Sequence, residues 1–326
     1  MQIVRTEYQL RYDGHMDPLS DLLFHAGLHA TVFSRAVLRA PVGVSTRGSD
    51  AAALFHVVVR GALWVRVGDD EPPVALRAGD LAVLPRGSAH VLSDPPDARP
   101  VPLSSWPVAD GDGLRCVLAG EGGPETRILC GSFRFGAAAR RWLLPHLPAL
   151  LVVRGDGSPM AAFLDATLRA LEHEAERGGP GADLVVARLS EVLLVQVLRA
   201  WARSGAPGWL AALSDPQLGR LLAAVHEAPA RSWSADEMAR CAGVSRSVLF
   251  DRFQEVLGQP PASWLAAWRM TLAADLLRSS DASVGEVAGR VGYASEASFV
   301  RAFRRHHGTT PGRLRAGGVE SASGGR

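Results

Sequence analysis

"SVGEVAGRVGYASEASFVRAFRRHHGTTP", Ser283 to Pro311, has an earlier counterpart in "SADEMARCAGVSRSVLFDRFQEVLGQPP", Ser234 to Pro261, at an offset of 49 to 50 residues. Ser234, Glu237, Ala239 and Gly243 match Ser283, Glu286, Ala288 and Gly292; after a one-residue insertion Phe253, Gly258 and Pro261 match Phe303, Gly308 and Pro311. Each copy reads as a short helix, a glycine turn and a longer helix. A serine followed by glutamate three residues on is the capping-box pattern, and the glycine permits the sharp re-entry that a helix-turn-helix needs. Between the copies, "ASWLAAWRMTLAADLLRSS" keeps helical spacing without a breaker, which predicts one connecting helix.

Placing successive residues about 100° apart resolves the second long helix into two sides. Phe299, Val300 and Phe303 share one side, the core side. Ser298, Arg301 and Arg305 share the other, with Ala297 and Arg304 on the flank and Glu296 at the helix start. Outward guanidinium groups suit phosphates or guanine edges, and two such helices about fifty residues apart suit successive major grooves. At the matching outward positions the first copy carries Asp251, Gln254 and Glu255, with Arg246 and Arg252 nearby. Asp251 can accept from a cytosine amino group, Gln254 can pair with adenine, and Ser247 fits either. The competing reading is a solvated face on which Asp251 and Glu255 pair with Arg246 and Arg252.

The rest of the chain is an ordinary globular composition: 326 residues, 47% hydrophobic and 21% charged, room for two or three domains. The net charge of +2 is unevenly spread, since residues 231–315 hold twelve Arg against eight Asp or Glu. The first residues show no basic stretch followed by an apolar one, and the most apolar run, "ADLVVARLSEVLLVQVL", is broken by Arg188 and Glu191, so neither a signal peptide nor a membrane span is expected and the reading is cytoplasmic. Three cysteines, Cys116, Cys130 and Cys241, are too few for a disulfide framework.

From about residue 30 to 136 the pattern is short apolar runs between Gly, Asp and Pro turns, as in "LFHVVVRGALWVRVGDDEP" and "TRILCGSFRF". This predicts an all-β unit, a sandwich or a small barrel. Two helical stretches follow, "SPMAAFLDATLRALEHEAERGG" and "GADLVVARLSEVLLVQVLRAWARSG". The second is apolar round most of its circumference, so Leu184, Val185, Leu189, Val192, Leu193, Val195 and Leu198 call for cover from the β-unit, the partner helix or a second subunit. "RSGAPGW" reads as a hinge and residues 316–326 as a frayed tail.

The C-terminal region resembles the AraC/XylS transcriptional regulators. Ala288, Gly292, Tyr293, Ser295, Ser298, Phe299, Arg301, Phe303, Arg304, Gly308, Thr310, Pro311 and Arg315 carry the likeness, with "RMTLAADLL" in the connecting helix; Leu314 stands where an aromatic residue is usual. The resemblance spans about residues 214–315 and implies a two-motif DNA-binding domain with reading helices Arg246–Leu257 and Glu296–His307. "GDLAVLPRGSAH", Gly79 to His90, looks like the second motif of the cupin fold. Cupin enzymes draw further metal ligands from a His-x-His and a downstream Glu, whereas here His56 is followed two residues later by Val58. His56, His90 and Cys130 are donor types that suit zinc or iron, and equally the hydrogen-bonded lining of a ligand cavity or plain structural side chains. Cys130 lies near Arg127 and Arg134 in sequence, which would favour a reactive thiolate if they approach it.

The layout resembles the cupin-bearing branch of the family. The expectation is an α+β chain: a cupin-like β-barrel or jelly roll at 1–155, a helical hairpin at 156–204, a linker at 205–213, an all-α double helix-turn-helix at 214–315 and a tail at 316–326. Its expected function is sequence-specific DNA binding controlled by a small molecule or chemical signal, with His56, His90 and Cys130 as the candidate effector site. Double-stranded DNA, a small-molecule effector and a second copy of the chain are the expected partners, and RNA polymerase is the one the resemblance implies; no cofactor is called for. The competing reading is a metal-dependent cupin enzyme with a DNA-binding appendage.

Overall fold

In the computed structural model the described residues are 19–20, 23, 28–69, 71–109, 114–135, 143–144, 147–155, 159–203, 212 and 215–316. The expected hinge beyond residue 203 and the tail beyond residue 316 lie outside them, Ala212 excepted. The chain divides into two compact units, one spanning Gly27–Ala206 and the other holding Pro207–Arg326.

The first unit is built on two sheets. Its strands are β1 (His29–Arg39), β2 (Val42–Thr46), β3 (Ala53–Arg60), β4 (Ala62–Val67), β5 (Val74–Arg77), β6 (Leu81–Leu84), β7 (His90–Asp94), β8 (Val101–Pro102), β9 (Val108–Ala109), β10 (Arg115–Ala119), β11 (Glu125–Arg134) and β12 (Leu151–Val153). One sheet runs β12-β6-β3-β11-β1-β10-β9 and the other β5-β4-β7-β2-β8. Side chains alternate across each strand, so Ala36, Leu38, Val58, Val117 and Ile128 of the larger sheet meet Val44, Val65 and Leu92 of the smaller in one core.

Strand β3 explains why its sequence shows no clean alternation. His56 and Val58 point to that core, while Phe55 and Val57 are buried on the other side, Phe55 stacked on Phe133 at 4.7 Å. A strand covered on both faces reads as a continuous apolar run. The cover comes from α1 (Pro159–Arg177) and α2 (Ala182–Arg203), of which α2 packs on β1 and β12 and α1 on β3. Leu193, Leu194, Val197 and Leu198 of α2 are buried, whereas Leu184, Val185 and Val192, expected to need cover, stay exposed. The cover therefore reaches only part of the helix circumference.

Asp80 and Gly87 hold the cupin-like motif in place. Asp80 is 5% exposed and accepts from the Arg77 and Gly155 amides at 3.0 Å and from Arg154 at 2.8 Å, tying β12 to the sheet. At Gly87, φ is +64° and a Cβ would stand 2.0 Å from the Ser49 carbonyl, so only glycine fits.

The second unit is helical: α3 (Pro216–Glu227), α4 (Ala235–Ala242), α5 (Arg246–Leu257), α6 (Pro261–Ser279), α7 (Val284–Arg290) and α8 (Glu296–His307). Both capping boxes form, at Ser234 with Glu237 and at Ser283 with Glu286. Phe253, Phe299 and Phe303 are fully buried, and Phe253 meets Trp264 of α6, the connecting helix, edge-on at 6.1 Å, while Phe299 and Phe303 pack on each other at 5.5 Å. Arg269 on α6 donates to the carbonyls of Pro229 at 2.8 Å, Arg231 at 2.8 Å and Gly292 at 3.4 Å. It thus bridges the approach to the first motif and the turn of the second. Gly292 has φ +82° and faces the Ala230 carbonyl at 2.7 Å from an added Cβ, so its glycine is required twice over.

Candidate functional site

The helical unit presents two reading helices in one frame. Ser245 and Ser295 cap α5 and α8 by accepting from the Val248 and Ser298 amides at 3.4 and 3.3 Å. Leu249 and Phe253 of α5, and Phe299 and Phe303 of α8, point inward and are 0% exposed. That orientation leaves Arg246, Ser247, Asp251 and Gln254 exposed on α5, and Glu296, Arg301, Arg304 and Arg305 exposed on α8. Ser298 is only half exposed, its hydroxyl donating to the Ser295 carbonyl at 2.8 Å.

Charges on the two faces are not neutralised locally. Among the described residues no ion pair involves Asp251, Glu255, Arg301, Arg304 or Arg305. The pairing of Arg252 with Asp251 or Glu255 weighed from sequence does not occur. Arg252 instead donates to Asp215 at 2.9 Å and Gln217 at 2.6 Å, fastening α5 to the start of α3. Arg246 lies over the Phe250 ring at 5.9 Å. One exposed residue escaped the sequence reading: Val248, 43% exposed, occupies the α5 position that corresponds to Ser298. Its misplaced apolarity was the available signal, and an exposed Val methyl suits a thymine methyl.

The β-unit encloses a cavity of about 810 Å³ between its two sheets, lined by His56, His90 and Cys130 among others. The cross-strand registers Cys130 to His56 and Thr46 to His90 bring them together. His56 Nε2 is 2.7 Å from His90 Nε2, and His56 Nδ1 is 3.2 Å from Cys130 Sγ. His90 Nδ1 lies 2.9 Å from the Ser88 carbonyl, which can only accept, so His90 donates there. In a neutral ring its Nε2 then accepts from His56 Nε2–H, and His56 Nδ1 accepts a hydrogen bond from the Cys130 S–H. Thr46 adds its hydroxyl 2.9 Å from His90 Nδ1.

This chain is neutral throughout. Burial holds His56 well below the usual imidazole range, with His90 adding to the effect, and burial lowers His90 against the opposing Ser88 carbonyl. Burial pushes the Cys130 thiol up to about 12, with Ser34 opposing. Neither Arg127 nor Arg134 meets the condition of approaching this thiol. Arg127 points to the opposite face and donates to Glu125 at 2.8 Å, and Arg134 is four residues along the strand, roughly 13 Å away. Nor do the three side chains converge on a common point, because His56 turns one nitrogen to His90 and the other to Cys130. Among the described residues no group of three or more His, Cys, Asp or Glu is placed to hold a metal ion. The donor set does not fit a shared metal.

Comparison with known proteins matches residues 17–203 to a family described as cupin and residues 238–317 to one described as a helix-turn-helix domain. A protein of Streptomyces lividans named as an AraC-like transcription regulator is 34% identical over 92% of this chain and 98% of its own length. The chain belongs to the AraC-like transcription regulators. The regulator MtrA of Neisseria gonorrhoeae is 29% identical over 93% of this chain and 99% of its own. Among solved structures, the DNA-binding domain of AdpA in complex with a target DNA matches 34% of this chain and 99% of its own at 33% identity, with a TM-score of 0.32. By its two family matches and its full-length relatives, this AraC-like chain is a DNA-binding transcription regulator with an N-terminal cupin domain rather than an enzyme. No described helix is long and apolar enough to cross a membrane.

Proposed function

We propose that this AraC-like regulator is ligand-controlled: a small molecule entering the cupin cavity favours one of two arrangements of the DNA-binding half, and so sets transcription. The observation that carries the reading is the 810 Å³ cavity with a buried polar chain in its wall, on the same polypeptide as two reading helices. His56, His90 and Cys130 supply that wall and fix its shape without carrying charge.

In this reading, Arg301, Arg304 and Arg305 contact phosphates or guanine, with Glu296 and Ser298 at the head of α8. Arg246, Ser247, Asp251 and Gln254 of α5 choose bases. The proposed division is 1–155 sensor, 156–204 helical pair, 205–213 linker, 214–315 DNA-binding domain and 316–326 tail. The exposed Leu184, Val185 and Val192 of α2, with Phe163 of α1, support pairing of two copies through the helical pair. A regulator of this kind works in the cytoplasm with RNA polymerase as its partner.

Footprinting the purified full chain on DNA flanking its own gene, with and without metabolites of neighbouring gene products, tests the reading. The expected result is salt-dependent, sequence-selective protection that changes with one of the metabolites. Protection that no cavity-binding compound alters overturns ligand control.

A further inference from the structure

The registers of the β-unit arrange the cavity wall in levels, and the levels differ in chemistry. Ser34 on β1 pairs with Arg115 on β10 and with Cys130 on β11, and Cys130 pairs with His56 on β3. Arg115, Ser34, Cys130 and His56 thus form one polar row across the larger sheet, every member lining the cavity. Thr46 and His90 face it at the same level of the smaller sheet, and the two rows meet at the His56–His90 contact of 2.7 Å. One level further in, the lining is aliphatic: Val117, Ala36 and Ile128 on one wall, Val44 and Leu92 on the other.

Charge is confined to the outer edge. Among the described lining residues the only permanently charged side chains are Arg47 and Arg115, both exposed, and there is no Asp or Glu. Neither arginine makes an ion pair among the described residues. The protons of the buried row are committed, from Cys130 to His56, His90 and the Ser88 carbonyl, so the row is neutral and internally satisfied. A cation in this cavity would lose water and find no counter-ion, which is costly. An anionic head finds two guanidinium groups at the edge, and an apolar body finds aliphatic walls beneath.

We infer that the cavity takes an anionic amphiphile, a molecule with an apolar body and a single carboxylate-type head. The body rests on Ala36, Val117, Ile128, Val44 and Leu92. The head stays at the edge with Arg115, which ends the polar row, and Arg47, which follows Thr46 on the facing wall. A cavity of this size accommodates a drug-sized ligand. The inference rests on the reading of the cupin unit as a ligand sensor and adds the ligand's chemical class to it.

Titration calorimetry of the full chain with decanoate, decanol and decyltrimethylammonium tests the inference. Decanoate is expected to bind about tenfold more tightly than decanol, the yield of one charge-assisted hydrogen bond, and the ammonium compound least. Arg47→Gln with Arg115→Gln, both on exposed positions, is expected to abolish the preference for decanoate while leaving decanol binding intact. Ala36→Phe should weaken all binding, with thermal unfolding confirming the fold. Equal affinity for the ammonium compound overturns the inference, as does a decanoate preference that survives the double substitution. Gel shifts run beside the titrations keep the two readings apart. Decanoate that binds as described without altering DNA binding leaves this inference standing and defeats ligand control. A different ligand class that alone binds and alters DNA binding does the reverse.

Discussion

Helices α5 and α8 each run twelve residues, each begins behind a capping serine and each ends on a left-handed glycine, Gly258 at φ 66° and Gly308 at φ 69°. Inside, the two agree again, with Leu249 and Phe253 matching Phe299 and Phe303, all fully buried. Outside they part. Where α5 shows Asp251, Gln254 and Glu255, α8 shows Arg301, Arg304 and Arg305. The inward positions answer to close packing against α6, which tolerates little change in volume, whereas the outward positions answer only to what they meet in solution. Such a frame can grip the backbone through one copy and choose bases through the other.

The comparison can be broken first at its shared core. Phe253→Ala and Phe303→Ala are each expected to cost about 3 to 5 kcal/mol in denaturant unfolding, the usual loss for a buried phenylalanine. A much smaller loss in one copy means that the two frames are not equivalent. The grip comes next. Replacing Arg301, Arg304 and Arg305 together by Gln should reduce affinity on every sequence and flatten the logarithmic salt dependence by about 0.9 per lost phosphate contact. An unchanged salt slope shows that these guanidinium groups do not meet phosphates.

Base choice sharpens the contrast at a smaller scale. Asp251→Ala and Gln254→Ala are expected to lose about 1 to 3 kcal/mol of discrimination at one base pair each, read from binding-site selection, with little effect on the salt slope. Uniform loss on all sequences from these two, as from the arginines, ends the division of labour. The smallest effect belongs to the caps: Ser234→Ala and Ser283→Ala should each lower stability by about 1 kcal/mol. Unequal losses place the tighter turn in the costlier copy.

Much of the helical half was legible because its signals are local. Ser234 with Glu237, the glycines at 243 and 292, and the 3.6-residue recurrence of Phe299 and Phe303 each act within one or two turns. Arg252 was not legible, since its partners Asp215 and Gln217 lie more than thirty residues earlier. In the cupin half the Gly79 to His90 motif announced its turn, through Gly87, and its buried histidine. The polar row had no such announcement: Ser34, Arg115 and Thr46 sit in strands whose composition is ordinary, and only pairing across strands sets them beside Cys130, His56 and His90.

By itself the sequence determined the double helix-turn-helix, the cupin-like strands and which faces of α5 and α8 turn outward, because helix periodicity, caps and turns depend on neighbours in the chain. Tertiary structure alone decided that Cys130 is a buried hydrogen-bond donor and not an activated thiol, that two histidines share one proton between facing sheets, and that the cavity is aliphatic within and cationic at its edge. Those properties come from desolvation and from strand register, which join residues as far apart as Ser34, His90 and Arg115 and leave no trace in local spacing.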